Sequence, residues 1–305
     1  MISRLACRLQ KYGMNLLFPL ALLFFLFPCE VSAGSKVQPS IHLSSTSLFP
    51  GDVALISVTP ADALVSGHIT WDQKRIPLER LKDKKSFAAF FAVPQNEAAG
   101  PRKMPITLVR DDGKHFQRIL DFKVLAKEFS VQHLTLPKEK VTLSKKNLDR
   151  HQREKTTIEK ALARPLAEQL WQLTFIRPVP GEVATPFGVR RVLNGQPRSS
   201  HSGVDLRGHK GEPVASAGDG IVILTGEHFF AGKSVYIDHG MGIVTMYFHL
   251  SGIEVKQGDR VHGGQTIGLL GSTGRSTGPH LHWGLRVHNQ PADPFSLLAL
   301  FPLRE

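Results

Sequence analysis

From Phe175 to the C-terminus, glycine-centred turn signals recur at short intervals: Gly218-Asp219-Gly220, Asp238-His239-Gly240, Gly258-Asp259 and Gly263-Gly264. Glycine and aspartate supply the backbone conformations that tight connections need. Between these signals lie runs of strand length, Ile221 to Leu224, Ser234 to Ile237, Ile243 to His249 and Gln265 to Leu270. A segment punctuated in this way predicts an all-β domain of about 130 residues. Nine of the chain's 14 histidines fall within it, so this is where histidine chemistry is expected.

Three short segments carry that chemistry: His201-Ser202-Gly203-Val204-Asp205, Tyr247-Phe248-His249-Leu250 and His280-Leu281-His282. Alternate side chains of an extended strand share a face, so His280 and His282 point one way while Leu281 and Trp283 enter the opposite layer. The same period places His201 and Asp205 on a common face, with Gly203 between them offering no side chain to obstruct. Two imidazoles and one carboxylate make three ligands. Three protein ligands leave a fourth tetrahedral position open, which distinguishes a catalytic zinc site from a closed structural one. Zinc lowers the pKa of water in that position to about 7 and polarises a carbonyl, so attack on an amide becomes feasible at neutral pH. Only one of His280 and His282 is required as a ligand. The other, with His249, is available to move a proton or to stabilise a tetrahedral oxyanion. His209, His228, His239, His262 and His288 adjoin glycine, charges or turn signals and are expected to be solvated or turn-stabilising. Tyr247 is open between groove lining and strand packing, and Arg275 between groove lining and an exposed loop charge.

A glycine-rich run, Gly271-Ser272-Thr273-Gly274-Arg275-Ser276-Thr277-Gly278-Pro279, leads into His280. With it, the three segments resemble the lysostaphin-type (LytM-like) zinc endopeptidases over roughly Pro178 to Leu298, with the H-x-x-x-D, Y-x-H-L and H-L-H elements in the family's order. Thr185 to Arg190 and Val255 to Val261 are similar to that family as well. The resemblance implies an antiparallel β-sheet catalytic domain with a groove over one zinc ion per chain. It implies His201, Asp205 and His282 as the ligands, and His249 and His280 as the non-ligand catalytic histidines. The substrate it implies is a peptide bond in the stems or cross-links of peptidoglycan.

Upstream, short apolar runs at Val53 to Val58, Phe87 to Val93, Ile106 to Val109 and Ile119 to Leu125 alternate with turn signals, and Asp111-Asp112-Gly113 reads as a hairpin turn. They predict a β-sandwich-like accessory domain over 34–136, with His42, His68, His115 and His133 scattered singly and no chemical constellation. A charged stretch over 137–174 carries Ile158, Leu162, Leu166 and Leu170 at helical spacing. Pro165 inside it predicts one helix ending near Arg164 and a second short one starting at Pro165. This helical linker leads into the zinc peptidase domain over 175–305. The expected fold class is therefore mostly β: a sandwich-like domain, a short helical linker and an antiparallel peptidase domain.

At the N-terminus, Arg4, Arg8 and Lys11 precede the apolar run Leu16 to Pro28 and then Val31-Ser32-Ala33, the pattern of a secretory signal peptide over 1–33. The run is broken by Pro19 and too short to span a bilayer, so no transmembrane helix is expected after cleavage. Cleavage removes Cys7 and Cys29, the only cysteines, leaving neither a disulfide nor a thiolate zinc site. Pro28 ahead of Cys29 argues against lipidation. Export turns the net charge of +12 away from nucleic acid and toward the envelope, with the periplasm favoured over the extracellular space. Residues 34–174 hold 23 basic and 15 acidic side chains against 12 and 10 in 175–305, so the excess lies upstream, suited to electrostatic contact with an anionic envelope. A monomer is expected. One rival reading is a non-hydrolytic LytM-like activator of cell-wall amidases, which the complete ligand set disfavours. Another, a biotinyl or lipoyl carrier hairpin at Val255 to Leu270, lacks a lysine at its tip.

Overall fold

The computed structural model describes residues 38–59, 64–135, 144–163, 165–171, 175–197 and 199–301. The expected signal peptide, residues 1–33, lies outside the described residues. Within them the chain is mostly β, and no helix is long and apolar enough to cross a membrane.

Residues 40–124 form β1 (Ser40–Leu43), β2 (Ser47–Leu48), β3 (Val53–Thr59), β4 (Leu64–Trp71), β5 (Lys74–Pro77), β6 (Glu79–Arg80), β7 (Phe87–Ala92), β8 (Gly100–Arg110) and β9 (His115–Val124). They pair as two sheets, β1-β3-β7-β6 and β2-β9-β8-β4-β5, which share a core built on Ile56, Ile69, Phe91, Met104 and Ile106. The hairpin at Asp111-Asp112-Gly113 joins β8 to β9, with Gly113 at φ +76 and the Arg110 N–H donating to the Lys114 carbonyl. Strand β7 is apolar at every position because both of its faces are covered. Phe87, Ala89 and Phe91 enter this core, whereas Ala88, Phe90 and Ala92 enter a second one belonging to the C-terminal half. There Phe90 meets Trp171 edge-on at 6.2 Å and tilts against Phe301.

After β10 (Val131–Leu134) comes α1 (Lys145–Leu162), capped by Ser144, whose hydroxyl accepts from the Asn147 N–H. Its apolar side, Ile158, Ala161 and Leu162, packs on Leu224, Tyr236, Val244 and Met246 of the C-terminal sheet. The second helix expected at Pro165 does not form. Residues 165–171 run without regular structure, since the Leu166 N–H is taken by the Asp238 carboxylate (2.7 Å) and the Leu170 N–H by the His239 carbonyl (3.1 Å). These tertiary bonds replace the costly first turn of a very short helix.

The C-terminal half comprises β11 (Val183–Thr185), β12 (Arg190–Leu193), β13 (Gln196–Pro197), β14 (Gly203–Arg207), β15 (Pro213–Ala215), β16 (Gly220–His228), β17 (Gly232–Gly240), β18 (Ile243–Leu250), β19 (Gly252–Ile253), β20 (Arg260–Val261), β21 (Thr266–Leu269), β22 (His280–Val287), β23 (Gln290–Ala292) and α2 (Pro294–Ala299). Its main sheet runs β11-β14-β22-β18-β17-β16-β20, with β23 on β22, and every pairing is antiparallel. Val204, Leu206, Leu281, Trp283, Tyr247 and Ile237 supply the core beneath one face. The turn signal at Asp238-His239-Gly240 is displaced: β17 continues through it, and the reversal falls on Met241 and Gly242 at φ +53 and +79, the two-residue turn that matches strand twist. Gly240 instead permits close approach of the 165–171 segment, because a side chain there would strike the Glu168 carbonyl.

That displacement buries His239 completely, with Nδ1 2.8 Å from the Asp219 carbonyl and Nε2 2.7 Å from Thr245 Oγ1. Burial pulls its pKa down to about 4, against the bond to Asp219, which favours the charged form. Between pH 6.5 and 4 the unfolded chain binds a proton that the folded chain refuses. Stability is therefore full above about pH 6.5 and falls toward pH 4, by on the order of 3 kcal/mol for this one group. Urea midpoints are expected to fall further from pH 7 to pH 4.5 in the wild type than in His239→Gln. Equal falls would show that His239 is not the group responsible.

Candidate metal centre

Strands β14 and β22 place Asp205 directly opposite His282, and the next pairing, β22 with β18, sets Phe248 on the other side of His282. Phe248 stacks on the His282 ring at 5.2 Å and 10°. His201 lies two residues before β14, where its N–H donates to the Val189 carbonyl and its carbonyl accepts from the Gly188 N–H. These bonds turn its ring toward Asp205. His201 Nε2, Asp205 Oδ1 and His282 Nδ1 lie 2.9 Å from one another, and all three residues are buried.

His201 Nδ1 is 2.9 Å from the Pro186 carbonyl, which can only accept, so Nδ1 carries the hydrogen. Nε2 is then the nitrogen that faces the Asp205 oxygen. Burial holds His282 toward its neutral form, with the nearby His201 and Arg191 acting in the same direction and Asp205 opposing. Burial alone would raise the Asp205 carboxyl, but the two facing imidazoles outweigh it and keep the group well below the ordinary carboxylate range. Two imidazole nitrogens and a carboxylate oxygen, dry and converging, are a donor set that fits a divalent cation. The bond from His201 to Pro186 is the backing that metal-ligating histidines typically have.

The sequence alternation would send His249 into the core with Tyr247. Instead the register of β17 with β18 shifts between Lys233 and Val235, and His249 takes φ +64. Such a bulge re-aims one side chain, and the His249 ring stands 4.8 Å from His280 and 6.2 Å from His282. Its Nδ1–H donates to the Thr273 carbonyl (2.8 Å), leaving Nε2 as the basic nitrogen. His280 is held in the same way: Nδ1–H donates to the Gly278 carbonyl (2.8 Å), and Nε2 lies 3.8 Å from Asp205 Oδ1. All five expected site residues thus meet in one place, with three donor atoms converging and two further histidines presenting Nε2.

The site opens into a pocket of about 430 Å³. One wall is α1, through His151, Glu154, Ile158 and Leu162, none of which was read from the sequence as part of the site. Glu154 is fixed there by the Phe229 N–H (2.7 Å) and Arg150 (2.6 Å), and His151 meets the Phe230 ring at 4.7 Å. Arg275 lines the pocket with its guanidinium 4.1 Å over Phe230. Tyr247 is packed on the far face, where its hydroxyl accepts from the Ala217 N–H. Of the remaining histidines, His209 and His262 are exposed as expected. His228 is buried on Ser234 Oγ and lines the pocket, and His239 is buried as described.

Gly203 shares the face of Asp205, and a Cβ there would lie 2.8 Å from His282 Nε2 and 2.5 Å from the Trp283 carbonyl. Gly203→Ala is expected to weaken metal binding at least tenfold in a chelator-competition titration, because the ring of His282 has to move. Unchanged affinity would show that the site has slack at this position.

Residues 199–294 match the model of peptidase family M23. Over 115 residues the chain is 41% identical to the DD-carboxypeptidase/endopeptidase Mpg of Neisseria meningitidis serogroup B, covering 38% of this chain and 26% of that protein. Over 93 residues it is 50% identical to the peptidoglycan DD-endopeptidase ShyA of Vibrio cholerae serotype O1, covering 30% and 22%. The alignments thus span about a quarter of the length of these curated relatives. A crystal structure of a candidate M23 peptidase from Pseudomonas aeruginosa superposes with a TM-score of 0.63 at 28% identity, over 83% of this chain and 96% of that one. The likeness in fold therefore reaches well beyond the residues the family model matches.

Proposed function

We propose, from a C-terminal half whose residues 199–294 form a peptidase family M23 domain, that this chain is an exported zinc-dependent endopeptidase acting on peptide bonds in the stems or cross-links of peptidoglycan. The observation that carries the proposal is the dry triangle of His201, Asp205 and His282 beside two non-ligand histidines whose Nδ1 atoms are both engaged by backbone carbonyls. One carboxylate and two imidazoles suit zinc among the common divalent ions, and three ligands are the catalytic complement. The substrate class is supported by relatives named as peptidoglycan DD-endopeptidases. That substrate class and the N-terminal signal pattern support the periplasm as the compartment.

When bound, the ion supplies Lewis-acid polarisation of the scissile carbonyl and makes water acidic enough to serve as a nucleophile near neutral pH. His249 Nε2 accepts the proton released as water attacks, since its Nδ1–H is committed to Thr273. His280, held by its Nδ1–H on the Gly278 carbonyl, serves as the imidazolium, whose second N–H, at Nε2, donates toward the carbonyl oxygen as negative charge develops on it. As the C–N bond breaks, the proton held on His249 passes to the departing amine, which returns His249 to its neutral form, while His280 keeps its protons throughout. Phe248 shields one face of His282 and keeps bulk water from it.

Digestion of purified peptidoglycan by the full chain tests the proposal. Release of peptide-linked fragments that stops with chelator and returns with zinc is expected. Chelator-insensitive release, or binding without release, would contradict it, the latter outcome favouring a non-hydrolytic activator.

A further inference from the structure

We infer that Arg191 is a carboxylate-binding residue of the groove and makes the site selective for peptides whose leaving amine belongs to an amino acid with a free α-carboxylate; this rests on the proposed hydrolase. Arg191 lies on β12 and pairs with Gln132 of β10, while the next two residues, Val192 and Leu193, pair with β13. Its side chain reaches the pocket and ends with Nη2 3.4 Å from Asp205 Oδ2. That is long for a charge-assisted bond, which closes to about 2.7–2.9 Å. Its Nε is buried and has no hydrogen-bond partner among the described residues. A guanidinium has five N–H donors in a planar fork matched to carboxylate geometry, and among the described residues Asp205 is the side chain paired with this one.

The surrounding charges point the same way. Asp205 Oδ1 already faces His201 and His282, and a cation on those three groups neutralises the one anion that Arg191 approaches. The other acidic residue lining the pocket, Glu154, is occupied by the Phe229 N–H and Arg150. Arg275 and Arg286 line the same pocket, so the field over the groove attracts anions. Arg191 also sits within one ion-pair distance of a ligand residue. A carboxylate it binds therefore lies beside the triangle of His201, Asp205 and His282, over which the scissile carbonyl is placed. In an α-linked peptide bond the α-carboxyl on the acyl side is the group being cleaved, so for such a bond a main-chain carboxylate this close belongs to the leaving residue.

The test uses the zinc-loaded full chain and two synthetic peptides that differ only in whether the leaving residue is a free acid or an amide. The wild type is expected to favour the acid about 10- to 100-fold in kcat/KM, the scale of a charge-assisted bond to a buried partner. Arg191→Met should bring that ratio to within twofold, and Arg191→Lys should restore part of it. Dissociation constants of both peptides for His249→Ala protein, with and without Arg191→Met, give the same comparison without turnover. An acid preference that survives Arg191→Met in both measurements would overturn the inference. So would an equal fall on both peptides accompanied by zinc loss, which would make Arg191 a support for Asp205. If no peptide is cleaved yet the acid binds more tightly only when Arg191 is present, the hydrolase reading fails while this inference stands.

Discussion

Asp205→Ala and His282→Ala are each expected to release the metal and to reduce peptidoglycan hydrolysis to background, losing both properties together. The triangle of three donors at 2.9 Å is closed by these two residues and His201, and each contributes an atom that nothing else nearby replaces. His280 Nε2 is 3.8 Å from Asp205 Oδ1 and is held back by Gly278, so it cannot slide into a vacated ligand position without breaking that bond. Bound zinc measured by elemental analysis should fall from one per chain to below a tenth. Asp205→Ala also leaves two buried imidazoles without their anion, and the sheet around β14 and β22 is expected to lose some stability as a result. A variant that kept full zinc and lost only turnover would show that the missing residue is not a ligand.

His249→Ala is expected to behave differently: zinc stays near one per chain while kcat falls about 100- to 10,000-fold, the usual worth of a positioned proton transfer. Its ring is 6.2 Å from His282, and its backing partner is the Thr273 carbonyl, outside the ligand triangle. The loss should appear mainly in kcat, since the residue is used as charge develops rather than in binding the ground state. Loss of zinc together with activity would make His249 part of the metal site and undo the division of roles proposed for the five residues.

The period of two in His280-Leu281-His282 suffices to predict that its two imidazoles share a face, because β-strand alternation is a local property of the chain. Two things are not local. His201 lies outside β14 and reaches the site only through its pairing with Gly188 and Val189. His249 reaches it through a bulge at positive φ that no residue pattern announces. The burial of His239 was concealed for a related reason. A glycine placed for close approach to Glu168 reads, in sequence, like a turn glycine. The role of α1 as a groove wall is the least legible of all. Its high charge suits a solvated connector, and only the contact of Ile158 and Leu162 with Tyr236 and Met246, far along the chain, shows which face is covered. Similarly, β7 reads as an apolar strand, but that its second face is buried against Trp171 and Phe301 depends on the fold of the other half.

The most direct measurement is a zinc titration of metal-free protein, followed at once by elemental analysis and by mass spectrometry of the muropeptides it releases. Cleavage is predicted to be absent without metal, to rise in proportion to bound zinc, and to saturate at one ion per chain. Cleavage by metal-free protein, or one tightly bound zinc per chain with intact peptidoglycan, would contradict the assignment of the His201, Asp205 and His282 site as the hydrolytic centre.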